Sequence, residues 1–242
     1  MNIVIPMAGL GSRFKGSRFK EPKPLIDIYG KPMIQRAIES FNDPSARFLF
    51  ILRQTEHTEK LIKVLNNVCD NTEIKIIDKV TRGPANTCLL MKEFIDNDEE
   101  LVIANCDQIM FWDYARFLHN VRYSDIDGAI VTYTSNTPKN SYALIDKFGN
   151  VTKIKEKVVI SDISLNGVHY WRRGKDFVTS ALEMIEKNDT APNGEFYVGP
   201  TYNYLIDSGK NIGIYHIPNY QHNAVGEPED LERFLRKYYE SL

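Results

Sequence analysis

Short, unbroken apolar runs rich in β-branched residues recur along this chain, separated by longer stretches whose apolar residues fall at helical spacing. The runs occupy residues 3–5, 48–52, 74–77, 101–104 and 129–131, and the helical patterns residues 32–41, 59–68, 84–95 and 113–121. Continuous rather than alternating apolar strands imply a sheet covered on both faces, and helices between strands imply parallel pairing. The expected class is therefore α/β: a doubly wound, mainly parallel, Rossmann-like sheet. Beyond about residue 138 the pattern changes to strands separated by turns, at 141–145, 151–156 and 165–171, with a turn at 148–150. This reads as a small antiparallel addition suited to holding a second substrate. Helical patterns return at 177–187, 198–208 and 228–239, with a strand at 212–217. No Ser/Gly linker divides the chain, so residues 1–242 are expected to form one domain with lobes at 1–137 and 138–242.

Composition narrows the partners. Thirty Lys and Arg against 32 Asp and Glu give a net charge of -2, so no global basic field draws the chain onto nucleic acid or an anionic membrane. The three cysteines, Cys69, Cys88 and Cys106, are odd in number and form no CxxC, which fits a reducing cytoplasm better than a disulfide framework. Neither a signal peptide nor a membrane span is expected. Self-association stays open.

In a doubly wound sheet, ligands sit beyond the carboxyl ends of the strands, which directs attention to the loop after residues 3–5. Gly11 and Gly16 have the spacing of a Walker A loop, but Ser17 and Arg18 stand where Lys and Ser/Thr are required. A dinucleotide fingerprint fails because Phe14 replaces the third Gly and Pro22 and Pro24 obstruct a helix. What remains is a Gly-bearing basic loop. Arg13, Lys15, Arg18, Lys20 and Lys23 fall within eleven residues against one acid, Glu21, a composition that favours polyphosphate.

Met7, Ala8, Gly9, Leu10, Gly11, Ser12 and Arg13, followed by Pro22, Lys23, Pro24 and Leu25, resemble the motif of the NTP-dependent nucleotidyltransferases that make activated sugars and related compounds. That motif is a Gly-rich turn ending in Arg, with a Pro-Lys pair about ten residues later. The tandem Gly-Ser-Arg-Phe-Lys at 11–15 and 16–20 offers Arg13 or Arg18 for the Arg, and the spacing to Lys23 selects Arg13. Through this resemblance, Met7, Ala8, Gly9, Gly11, Ser12, Gly83, Asn86 and Thr87 are expected to meet the nucleotide. Asp107, ending an apolar strand, corresponds to the family's carboxylate that holds Mg²⁺. Lys157, Asn166, Gly167 and Glu195 correspond to acceptor-binding stations.

The chain departs from the pattern near its C-terminus. Residues 224–231 resemble the family's Gly-Thr-Pro-Glu helix start, but Ala224 stands where many members carry a second metal-binding Asp, and Glu227 replaces the Thr. His222, Asn223 and Glu227 are candidate substitutes for that ligand, or Asp107 alone with waters serves. The resemblance implies Mg²⁺-dependent transfer of a nucleoside monophosphate to the phosphate of a small acceptor, with release of pyrophosphate. Arg13, Lys23 and Asp107 are the expected catalytic residues. CTP or another pyrimidine NTP is the expected donor, and a sugar 1-phosphate, phosphoglutamine or phosphocholine the acceptor, in surface-polysaccharide (capsule) precursor synthesis. Two other classes stay in view. A glycosyltransferase of related fold would show Asp-x-Asp where this chain has Asn105, Cys106 and Asp107, and a non-catalytic nucleotide-binding regulator would accommodate Ala224.

Overall fold

The computed structural model describes residues 1–239. In chain order the strands and helices are β1 (Asn2–Met7), β2 (Asp27–Ile28), β3 (Lys31–Pro32), α1 (Met33–Ile38), β4 (Arg47–Arg53), α2 (Thr58–Val68), β5 (Thr72–Ile77), α3 (Pro84–Leu89), α4 (Lys92–Ile95), β6 (Leu101–Ala104) and β7 (Gln108–Met110). There follow α5 (Tyr114–Tyr123), β8 (Gly128–Thr134), β9 (Ser141–Ile145), β10 (Val151–Glu156), β11 (Ile163–Trp171), α6 (Gly174–Glu186), α7 (Thr201–Asp207), β12 (Ile212–His216), β13 (His222–Ala224) and α8 (Pro228–Tyr239). All five apolar runs lie inside strands of one nine-stranded sheet.

The order β10-β9-β11-β6-β1-β4-β5 puts the parallel strands β6, β1, β4 and β5 side by side, with β8 pairing β11 and β12 pairing β8. β11 runs antiparallel to β6 and to β8, and β9 and β10 form an antiparallel hairpin. The sheet is thus mixed, with a largely parallel centre and the expected antiparallel addition at 141–171. Because successive side chains of a strand face opposite ways, the unbroken runs feed two cores. Ile3, Ile5, Phe48 and Phe50 meet α1, α2 and α5 on one face, while Val4, Leu49, Ile51 and Ile103 meet α3, α4, α6 and α7 on the other.

Several helix boundaries differ from the sequence expectation: α1 ends at Ile38 rather than 41, α6 begins at Gly174 rather than 177, and two further differences have a traceable cause. The pattern at 84–95 splits into α3 and α4 at Leu90 and Met91, whose amides bond three residues back, to Thr87 and Cys88. Lys75 Nζ donates to the freed Leu90 carbonyl at 2.7 Å, and Met91 is buried, so tertiary contacts stabilise the break. The pattern at 198–208 becomes helical only at Thr201, because Gly199 precedes Pro200 and a residue before proline is disfavoured in the helical region.

Candidate active site

β1 has β4 on one side and β6 on the other, so its carboxyl end opens at the crevice where ligands collect in such sheets. The loop leaving it is anchored rather than free. Gly11, at φ 61°, opens a 3₁₀ turn over Ser12–Phe14, a left-handed conformation that glycine adopts without strain. The turn buries Phe14 in a satellite core with Ile26, Met33, Val225, Leu231 and Phe234. Phe19, the second phenylalanine of the tandem repeat, packs edge-on against Phe14 at 5.9 Å. The two repeat arginines then diverge. Arg13 faces Glu227 and lines the larger of two cavities, whereas Arg18 turns to Glu232 on α8 at 3.0 Å and lies over the Phe19 ring.

Lys23 sits in the next 3₁₀ turn, Lys23–Leu25, and its ammonium donates to the carboxylate of Asp107, which leaves the end of β6. Both side chains are largely buried, at 17% and 18% exposure. Burial alone would raise the Asp107 pKa, but the Lys23 ammonium outweighs it and holds the carboxyl below its ordinary range. For Lys23 burial works in the opposite direction and the Asp107 charge again prevails, so the amine stays protonated. The pair is clamped from behind by the start of α8. Val225 N donates to the Asp107 carbonyl at 2.9 Å, and a Cβ on Gly226 would sit 2.5 Å from Asp107 Oδ2. Asp113, not Asp107, caps α5, accepting from Arg116 N at 2.9 Å, which leaves the Asp107 side chain to the crevice. Burial pushes the neighbouring Cys106 thiol up to about 11, so it is neutral at pH 7.

Two cavities meet at Asn105 and Asp107. The smaller, about 600 Å³, runs under the loop past Met7, Gly9, Gly11, Lys15, Lys20 and Lys23 to Arg53 and His57. The larger, about 880 Å³, reaches from Arg13 and Pro84 to Glu156, Lys157, Asn166, Gly167 and Tyr197.

The remaining residues expected at the nucleotide are placed unevenly. The Ala8 side chain packs in the core, and Ser12 is exposed outside both cavities. Gly83, at φ 124°, presses on residue 196, where a Cβ would lie 2.5 Å from the Phe196 carbonyl. Phe196 N donates to Arg82 O and Ala85 N to Phe196 O, which ties the start of α3 to the 193–197 segment. Asn86 keeps a buried Oδ1 with no hydrogen-bond partner. Thr87 is committed elsewhere: its hydroxyl is 3.1 Å from Gly83 O and 2.6 Å from Thr81 Oγ1, and it lines neither cavity.

On the acceptor side, Lys157 adopts φ 57° and donates Nζ to Tyr197 OH at 2.6 Å. Asn166 is buried, accepting from Val168 N and reaching Met110 Sδ. At Gly167, φ 93°, a Cβ would overlap the Asn105 side chain, so this glycine admits Asn105 to the wall between the cavities. Glu195 is held by Asn193 Nδ2 at 2.9 Å, and the same amide reaches Tyr197 OH at 3.0 Å, so Tyr197 lines the larger cavity with Glu195 next to it. Glu156 belongs to the same Glu-Lys pair as Lys157, which resembles a family station, but the resemblance gives a role to the lysine alone; Glu156 is buried in the cavity wall, and burial pushes its carboxyl up despite a hydrogen bond from Ser141. Its position beside Lys157 was the available signal.

Among the described residues no group of three or more His, Cys, Asp or Glu side chains is gathered to hold a metal. Of the substitutes considered for the missing Asp, Asn223 donates to Ile109 O, and Glu227 is taken by Arg13 and Lys139. His222 stacks on Tyr133 with its pKa pushed down to about 4 by burial. Ala224 pairs with Gln108 in the β13–β7 ladder, and Gln108 Oε1, on the larger cavity, is a buried acceptor without a partner. One carboxylate with a nearby unpartnered amide oxygen fits Mg²⁺, a hard cation that keeps waters and takes phosphate oxygens as its other ligands.

A basic Gly-bearing loop and a carboxylate at adjoining strand ends of this sheet define a nucleotidyltransferase-type domain. The chain belongs to the MobA-like NTP transferase domain family, whose model matches residues 3–161. It is 27% identical over 233 residues to the bifunctional protein GlmU of Methanocaldococcus jannaschii, covering 96% of this chain and 52% of that protein. The chain thus spans about half the length of this curated relative. Among solved structures, a nucleoside-diphosphate-sugar pyrophosphorylase from Vibrio cholerae superposes with a TM-score of 0.84 at 27% identity, covering 97% of this chain and 99% of that one. The inositol-1-phosphate CTP transferase of T. maritima shares the fold at a TM-score of 0.75 and 15% identity, covering 97% and 93%. Among the described residues no helix is long and apolar enough to cross a membrane.

Proposed function

We propose that this chain transfers a nucleoside monophosphate from an NTP to the phosphate of a small acceptor, releasing pyrophosphate, with Mg²⁺ as cofactor. The observation that carries this reading is the Lys23–Asp107 pair at the wall shared by the two cavities, one under the basic loop and the other lined by Lys157. The names of the matched NTP transferase family and of the matched pyrophosphorylase support it.

An acceptor phosphate has its second pKa near 6, so at pH 7 it is a dianionic nucleophile and requires no general base. Its oxygen attacks the α-phosphorus, and the bond to the β-bridging oxygen breaks in line as pyrophosphate leaves. Lys23 neutralises charge at the α-phosphate, Arg13 holds the β- and γ-phosphates, and Lys157 fixes the acceptor phosphate. Mg²⁺, when bound by Asp107 with Gln108 beside it, supplies charge neutralisation on phosphate oxygens. The loop backbone at Met7, Gly9 and Gly11, with Asn86, receives the nucleoside, and Asn166 and Gly167 shape the acceptor wall.

The finer reading takes CTP or another pyrimidine NTP as donor and a cytoplasmic role in surface-polysaccharide precursor synthesis. The name of the matched nucleoside-diphosphate-sugar pyrophosphorylase favours a sugar 1-phosphate acceptor. Ala224 and Glu227 keep a non-sugar phosphate such as phosphoglutamine or phosphocholine in the panel. The test is pyrophosphate release with each common NTP, Mg²⁺ and a set of phosphorylated acceptors. Lys23→Ala and Asp107→Ala should each lower the rate about 100-fold or more. Near-full activity in both, transfer from a nucleotide sugar instead, or binding without turnover would overturn the assignment.

A further inference from the structure

The larger cavity is bordered by a three-way ionic contact, of which the transfer reaction above uses Arg13 alone and leaves Lys139 and Glu227 without a role. Glu227, the residue before α8, presents its two carboxylate oxygens to cations from distant parts of the chain. Oε1 lies 3.6 Å from Arg13 Nε on the loop after β1, and Oε2 accepts from Lys139 Nζ at 2.7 Å, on the connection between β8 and β9. The carboxylate is 22% exposed, the two cationic side chains 65% and 71%. Two solvent-accessible arms therefore converge on one better-buried anion. A carboxylate between a guanidinium and an ammonium occupies the position in which a phosphate group would meet the same donors.

Lys139 is carried on pinned backbone. Asn140 Nδ2 lies 2.7 Å from Tyr133 OH, 3.0 Å from Ser164 Oγ and 3.2 Å from Ser135 Oγ. The Asn140 carbonyl accepts from Lys157 N at 3.0 Å, so Lys139 is tied to the backbone that bears the acceptor-side lysine. The arm from the second half of the chain is thus set at a fixed distance from Lys157, while Arg13 arrives on a separate loop.

We propose that Lys139 is a second arm beside Arg13 for the terminal phosphates of a nucleoside triphosphate and for the departing pyrophosphate, and that Glu227 is the built-in counter-anion of this pair, displaced when the ligand enters. The identity of the ligand rests on the nucleotidyl-transfer reading. Pyrophosphate carries several negative charges against one on Glu227, so it wins the exchange for both cations, and the returning carboxylate helps to expel it after transfer.

The experiment is calorimetric titration of inorganic pyrophosphate into the full chain at low ionic strength, using the wild type and the variants K139A, K139R and E227Q, each verified as folded by its thermal melt. K139A should weaken binding about tenfold, K139R should restore most of it, and E227Q, lacking the competing charge, should bind several-fold tighter. Wild-type affinity in K139A, no gain in E227Q, or no measurable binding by the wild type would each overturn the subsite. The readout needs no turnover, which separates it from the reading it rests on. Pyrophosphate binding that depends on Lys139 in a chain that transfers no nucleotide retains the subsite and defeats the activity, whereas transfer with pyrophosphate affinity indifferent to Lys139 does the reverse.

Discussion

Gly226→Ala is the sharpest probe of how the Asp107 carboxylate is held. The added methyl would sit 2.5 Å from Asp107 Oδ2 but 3.7 Å from Lys23 Nζ, so it collides with the acid and merely touches the amine. Ordinary contact begins near 3.4 Å, and relief therefore requires the carboxylate to retreat by about 0.9 Å. A displacement of about 1 Å in a positioned group costs on the order of 100-fold in rate. The backbone at 226 is not in the left-handed region, so alanine adds little strain of its own, and a stability loss of about 1–2 kcal/mol from local overpacking is expected. The assay is steady-state pyrophosphate release with thermal melts in parallel. Gly213→Ala, whose new methyl would meet only Ile126 at 3.4 Å, is the control and should behave as wild type. A Gly226→Ala enzyme that keeps kcat within about threefold of wild type would refute the argument that this glycine places Asp107.

His169 is 6% exposed, and burial pushes its pKa down to about 3, so it folds neutral. Between that value and about 6.5 the unfolded chain binds a proton that the folded chain does not, so this contribution is complete above pH 6.5 and is lost as pH falls through the window. Between pH 7 and pH 5, His169→Phe should therefore lose about 2 kcal/mol less stability than wild type, read from denaturant melts at both values, and parallel losses would contradict the assignment. Gly83→Ala combines a φ of 124° with a Cβ 2.5 Å from the Phe196 carbonyl, and should lower Tm by roughly 5–10 °C; an unchanged melt would show that the contact is soft. Lys157→Gln should raise KM for the phosphorylated acceptor about tenfold or more and leave KM for the NTP near wild type, and the reverse split would place Lys157 on the donor instead.

The centre of the sheet was legible because β1, β4 and β6 are buried on both faces, which forces unbroken apolar sequence and leaves a plain trace. The break between α3 and α4 was not, because it depends on Lys75 reaching across from the edge strand to the Leu90 carbonyl, a contact no local pattern encodes. Similar reasoning applies to the site. Arg13, Lys23 and Asp107 stand on loops at the carboxyl ends of the adjacent strands β1 and β6, so linear motif and topology place them alike. Tyr197 and Lys139 arrive through the pairing of β9, β10 and β11 and the packing of an irregular segment, and their sequence surroundings give them no role. Glu195 shows the converse: the motif marks the right segment, but only the fold brings in Tyr197, two residues on, which shares the Asn193 amide with Glu195 and lines the cavity.

Because β11 is hydrogen-bonded to β8 along one edge and to β6 and β9 along the other, strands that line the two cavities belong to one continuous sheet. A continuous sheet carries no linker of the kind that hinges a two-domain clamp, and strand spacing sets the span between the two compartments. Acceptors of different bulk would then be discriminated by the side chains that line the wall, and a change of specificity would require a few substitutions along β9, β10 and the 193–197 segment rather than any new motion. In hydrogen exchange the β11 amides should be among the slowest in the chain and the Gly-bearing loop among the fastest.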